Sequence, residues 1–170
     1  MFFFQLTDKL KPIRGRFCMK IFKRGILIDE YFDHNLIVIV GRERLARLAA
    51  GKSTSAIKYL GLGSGTRYLE QELGRTLEND NDTTLDDLQL FEIRKEDGTE
   101  PVEFDGTNVR FNFFIAEDEA VGLSIRELGL FCADGTMFTH RVRMSADKSK
   151  ILCIDKESDM SISGYYDLLF

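Results

Sequence analysis

The sequence predicts a mainly β protein, an antiparallel β-sandwich or meander with one or two short helices, and three observations carry that expectation. From Leu88 onward the chain is a succession of β-branched and aromatic runs, "LQLFEIRKEDGTEPVEF", "DGTNVRFNFFIAEDE", "SIRELGLFCADGTMFTHRV" and "SGYYDLLF", residue types that fit a pleated, half-buried surface. Asp-Gly punctuates these runs at Asp97, Asp105 and Asp134, and its glycine supplies the left-handed conformation that a tight hairpin needs. Only "RERLARLAAG", Arg42 to Gly51, holds a convincing helical period, with Leu45, Leu48 and Ala49 on one face and Gly51 where a helix stops.

In chain order, "RFCMKIFKRGILIDEYF" sets two apolar runs on either side of Lys23, Arg24 and Gly25 and reads as a hairpin with a tight turn. "HNLIVIVG" is too apolar to alternate and ends at Gly41, just before the helix. "SAIKYLGLGSGT" is a strand entering a glycine loop, and "YLEQELGRTLEN" is either a short helix or an extended connection. "ENDNDTTLDD" is acidic and turn-rich, which makes it an exposed loop. Asp-Gly-Thr recurs without a fixed period, so it is repeated turn chemistry and not a sequence repeat.

A chain of 170 residues with only 2 prolines suits a single domain over 1–170 with no stiff linker. Its net charge of -5 offers no overall positive field for a phosphate backbone, which argues against nucleic acid as a partner. The longest apolar run, Leu36 to Val40, is far short of the roughly 20 residues of a membrane helix. No basic residue precedes the apolar "MFFF" start, so a protein made and kept in the cytoplasm is expected. Cys18, Cys132 and Cys153 lack metal-ligand spacing, and with only His34 and His140 beside them no metal site is expected.

The stretch "YLGLGSGTR", Tyr59 to Arg67, admits two readings. In one, Gly61 to Thr66 cradles a cofactor, as in a methyltransferase-like small-molecule transferase. That reading requires a parallel sheet built from strand-helix-strand units. The chain instead supplies hairpins on both sides of the loop, so the required crossovers are missing. In the other, Gly61, Gly63 and Gly65 serve the backbone alone, turning a strand sharply or letting another backbone approach where a β-carbon would collide. The second reading is preferred, with no cofactor expected.

The remaining polar clusters also read structurally. "AEDEA", Ala116 to Ala120, does not space its carboxylates as a calcium loop does. No serine or cysteine stands in a nucleophile elbow that His34 or His140 would serve, so no catalytic residue is expected. In "SIRELGLF" a period of two puts Arg126 and Glu127 on opposite faces, and whichever points inward needs a partner.

Taken together, "GRFCMKIFKRGILIDEYFDHNLIVIVGRERLARLAAG", "IKYLGLGSGT", "VRFNFFIAEDEAVGLSIRELGLFCADGTMFTHRV" and "MSISGYYDLLF" resemble, in that order, a family of small virion proteins of tailed bacteriophages. The resemblance covers most of the chain and is weakest from Arg67 to Asp87. It implies a β-rich, non-enzymatic structural protein of the neck, collar, tail or fibre-attachment region, localised to the virion after assembly in the host cytoplasm. Its expected partners are further copies of itself and other virion proteins such as portal, neck, sheath or fibre subunits. A receptor-binding role belongs to the same structural class, and Glu78 to Asp87 is the long polar loop that would serve it.

Two sets of residues are expected to act in assembly. Phe2, Phe3 and Phe4 cannot all face inward from one extended strand, so residues 1–12 read as an N-terminal docking arm. Leu168 and Phe170 place apolar side chains at the other end, where the last strand is expected to pair in the sheet. Cys18, Cys132 and Cys153 are candidates for an inter-chain disulfide in released particles, since three thiols cannot all pair within one chain.

Overall fold

The computed structural model describes residues 13–170. The expected first hairpin is β1 (Arg14–Lys23) and β2 (Ile26–Ile37). Arg24 and Gly25 between them have φ of 51° and 75°, the two consecutive left-handed residues of a type I′ turn, whose twist matches that of the strands. α1 spans Ile39–Ala49, starting three residues before the segment predicted for it, because the apolar Ile39 and Val40 join its first turn. Gly41 is buried in that turn, and a β-carbon there would strike the Phe138 carbonyl.

The further strands are β3 (Ile57–Gly63), β4 (Gln89–Glu92), β5 (Val102–Asp105), β6 (Asn108–Ile115), β7 (Ser124–Ile125), β8 (Glu127–Cys132), β9 (Thr139–Val142), β10 (Ile154–Asp155) and β11 (Met160–Leu169). A single 3-10 turn, Thr66–Tyr68, is all the helix that forms in the region left open between helix and extended connection. Nine strands make one curled antiparallel sheet in the order β4-β3-β8-β9-β2-β1-β11-β6-β5, and β7 pairs with β10 apart from it. The mainly β antiparallel class is as expected. The pairing, however, interleaves the two halves of the chain: β1 takes the C-terminal β11 as neighbour, and β3 takes β8.

The inner face of the sheet holds the main core. Alternation along β1, β6 and β11 buries Phe17, Met19 and Ile21, then Phe111, Phe113 and Ile115, then Ile162, Tyr166 and Leu168. Phe17 stacks on Tyr166 at 5.1 Å between ring centres. Each such side chain contributes roughly 1.5–3 kcal/mol by leaving water, so the N- and C-terminal strands are held together by their inner faces as well as by their ladder.

β8 is buried along its whole length. Leu128, Leu130 and Cys132 face the main core, while Phe131 belongs to a second cluster with Val38, Leu85 and Met137 on the outer face. The segment after the glycine loop therefore lies over the outside of β3, β8 and β9 as a second layer. No described helix is long and apolar enough to cross a membrane.

Candidate functional site

Gly61 and Gly63 have ordinary strand conformations; only Gly65 is left-handed, with φ of 58°. What the first two supply is space. Register places Gly61 opposite Gly129 and Gly63 opposite Glu127, and directly opposed residues share a face, so these glycines clear a trough on the outer face of the sheet. The chain fills that trough itself. A β-carbon on Gly61 would meet the Phe131 ring and the Leu88 side chain. One on Gly63 would lie 2.6 Å from Leu85 Cβ, 2.8 Å from Glu127 Oε1 and 2.9 Å from the Asp86 carbonyl oxygen. Glycines that in a nucleotide cradle would admit a ligand here admit residues 85–88.

Glu127 fixes this arrangement from beneath. Its Oε1 accepts the backbone N–H groups of Asp86 at 2.6 Å and Gly65 at 3.2 Å. Its Oε2 accepts His140 Nε2–H at 2.8 Å and Arg67 Nη2–H at 3.4 Å. His140 Nδ1 is 2.7 Å from Asp82 Oδ2, which also accepts the Asn79 N–H. Glu127 and His140 are wholly buried. Burial by itself would depress the His140 pKa, but hydrogen bonds to Asp82 and Glu127 and the attraction of both carboxylates outweigh it and raise the value. Asp82 moves the other way: burial opposes its ionisation, and the bonds to His140 and the Asn79 N–H hold its carboxyl below the usual range.

As an imidazolium, His140 donates from both nitrogens, and two carboxylates balance it and Arg67. Both ring nitrogens are engaged by carboxylates and the ring is wholly enclosed, so His140 links Asp82 to Glu127. What it does is clamp. Glu127 and His140, on adjacent strands, hold Gly65 at the start of the 64–88 connection between β3 and β4 and Asp82 and Asp86 towards its end. Asp86 Oδ2 in turn accepts the Arg67 backbone N–H at 2.8 Å, and Arg126 Nη1 donates to the Ser64 carbonyl at 2.9 Å. The sequence singled out Glu127 as a residue needing a partner if it turned inward. His140 in that role was missed, because its two partners lie 13 and 58 residues away.

The predicted assembly residues fare differently from one another. Phe2, Phe3 and Phe4 lie outside the described residues. Leu168, proposed for an interface, is 2% exposed in the main core: β11 pairs with both β1 and β6, so the domain itself covers it. Phe170 is half exposed, its N–H bonded to the Thr107 carbonyl. Cys18 and Cys132 are buried and only Cys153 is exposed. Two of the three thiols expected to be available for an inter-chain bond are therefore enclosed; burial raises both, Cys132 to about 11. "AEDEA" is a turn in which Glu119 caps the Ala116 N–H and pairs with Arg94, and the buried Lys156 ammonium donates to the Glu117 carbonyl.

Exposed apolar side chains gather instead on the first hairpin. Ile26 is 69% exposed and Phe32 61%, with Leu27 and Ile28 between them about half exposed. Among the described residues this part of β2 has β1 on one side and no ladder partner on the other, since its pairing with β9 is confined to Leu36 and Ile37. At the other end of the same strand a groove of about 580 Å³ opens between Ile13, Asn35, Leu36 and Ile37 and the helix residues Arg42 and Leu45. Comparison with protein-family models, curated proteins and solved structures finds no match for the chain.

Proposed function

We propose that the chain is a non-enzymatic structural component of a tailed-phage virion, a collar, neck, tail or fibre-anchoring subunit that works by self-association and docking. The observation that carries this reading is the occupied trough. The feature that most resembled a ligand cradle is filled by the chain's own Leu85–Leu88 and by Glu127, and the buried histidine beside it serves to hold that loop down. The apolar side chains exposed on the hairpin, Ile26, Ile28 and Phe32 at alternate positions of β2, support it further, because exposed apolar surface of this kind is found at contact sites.

Calorimetric titration of the chain with S-adenosylmethionine or a nicotinamide dinucleotide tests the reading against the transferase alternative. No heat of binding is expected. Saturable binding in the micromolar range would require the 85–88 segment to leave the trough and would overturn the proposal.

A further inference from the structure

Asp-Gly-Thr occurs three times, at Asp97, Asp105 and Asp134, and the fold holds the three copies differently. Asp97 and Asp134 are each the third residue of a turn: the Gly98 N–H donates to the Lys95 carbonyl at 3.1 Å, and the Gly135 N–H to the Cys132 carbonyl at 2.9 Å. Their carboxylates turn back on the threonine that follows. Asp97 Oδ1 accepts the Thr99 N–H at 3.0 Å and its hydroxyl at 2.7 Å; Asp134 Oδ1 accepts the Thr136 N–H at 3.1 Å, while its Oδ2 pairs with Arg44. Asp105 is placed otherwise. It ends β5 and pairs with Asn108, so Gly106 and Thr107 alone form the hairpin loop, and its side chain stands off the sheet, away from the loop amides. Among the described residues its exposed carboxylate has no hydrogen bond or ion pair, and the Gly106 N–H has no acceptor.

A free carboxyl group beside a free amide, with no β-carbon on the glycine to obstruct their approach, is what cyclisation of an aspartyl peptide requires. We propose that Asp105-Gly106 is the site at which this chain isomerises its own backbone, and that the fold protects Asp97-Gly98 and Asp134-Gly135. The Gly106 nitrogen bonds to Asp105 Cγ, and a carboxyl oxygen leaves as water, taking the carboxyl and amide protons. Water then opens the five-membered imide. Attack at Cγ restores aspartate; attack at the main-chain carbonyl carbon leaves the chain running through Cγ as isoaspartate, with the α-carboxylate free. Nothing is oxidised or reduced, and the mass is that of the parent. At the two protected sites a backbone bond and at least one bond to the carboxylate must break first, and each slows the reaction by roughly 2- to 12-fold, more where a charge is involved.

The product matters at the edge of the sheet. Isoaspartate adds one carbon to the backbone at the β5–β6 tip, and β5 has only four residues, all exposed, with β6 as its ladder partner. The neighbouring Thr107 carbonyl accepts the Phe170 N–H at 3.0 Å and so ties down the last residue. Isomerisation is therefore expected to loosen β5 and Phe170 together.

The test ages the full chain for weeks at neutral pH, folded in buffer and unfolded in urea, and maps isoaspartate in proteolytic digests by electron-transfer fragmentation, which tells the two isomers apart at each position. In urea the three sites share one local sequence and are expected to react at similar rates. In the folded chain Asp105 is expected to lead Asp97 and Asp134 by at least about tenfold. An Asp105→Glu variant aged alike is expected to accumulate little isoaspartate anywhere. Amide exchange at Asn108 and Phe170 is expected to be faster in the isomerised fraction than in the parent, and unchanged exchange would refute the loosening. Equal rates at the three sites in the folded chain, or Asp97 or Asp134 ahead, would overturn the assignment. A folded chain without isoaspartate at Asp105, when the unfolded chain has converted, would overturn it too, by showing that the hairpin itself holds the two groups apart.

Discussion

Glu127 Oε2 lies 2.8 Å from His140 Nε2 across neighbouring strands, both side chains fully enclosed. The pair is what makes the long loop part of the domain. Removing one member leaves a buried charge unbalanced, which typically costs about 3–5 kcal/mol. His140→Gln is expected to lose stability in that range, because a carboxamide carries no charge and has both of its N–H donors on one nitrogen, so it turns an oxygen towards one of the two carboxylates, and urea unfolding at neutral pH measures it. A loss under about 1 kcal/mol would mean that the clamp is not what holds the loop.

The same pair sets a pH dependence with a definite sign. His140 is raised above its unfolded value of about 6.5, so its contribution is complete below that pH and fades as pH rises through the folded value. The wild-type urea midpoint is therefore expected to fall between pH 6 and pH 9 by more than that of His140→Gln. Asp82, held low, contributes oppositely: its share is present above the ordinary aspartate value and is lost as pH falls through the folded one. Parallel midpoints for the two proteins across the alkaline range would contradict the assignment.

Gly63 and Gly98 separate two reasons for glycine. Gly63→Ala would press a methyl group against Leu85, Glu127 and the Asp86 carbonyl and is expected to cost about 1–3 kcal/mol through overpacking. Gly98→Ala has open space but a φ of 71°, and is expected to cost about 1 kcal/mol through conformation alone. Equal denaturation midpoints for Gly63→Ala and the parent would show that the trough is not close-packed.

Thiol accessibility provides a count. Cys153 is exposed, while Cys18 and Cys132 are enclosed and their thiols raised by burial. Titration of the folded chain with an aromatic disulfide is expected to consume one thiol quickly and the other two only in denaturant. Fast reaction of Cys18 or Cys132 would show that β1 or β8 opens.

On the hairpin, Ile26→Ser and Phe32→Ser remove side chains that the domain does not bury. Each is expected to change stability by no more than about 0.5 kcal/mol. A larger loss in the isolated chain would place these residues in its core.

Much of this fold is legible in local chemistry. Arg24-Gly25 and the Asp-Gly pairs declare their turns because φ above zero leaves few choices of residue, and the alternation of β1, β6 and β11 declares their inner faces. The strand order is not legible in the same way. β1 against β11 and β3 against β8 are pairings between distant segments, and an apolar face fits any partner of similar shape. The glycine loop shows the same divide. That its glycines serve the backbone followed from the missing crossovers, but that they receive residues 85–88 depends on where a polar loop with no periodicity comes to rest. The pairing of the last strand in the sheet was expected from its apolar residues, and that pairing encloses Leu168, which had also been named as an interface candidate.

The most direct measurement is the location of the chain in purified phage particles, by immunogold labelling and quantitative mass spectrometry of gradient fractions. The account predicts that it copurifies with infectious particles at a constant copy number and labels one position on the neck or tail. Abundance in the lysate with absence from the particles would contradict it.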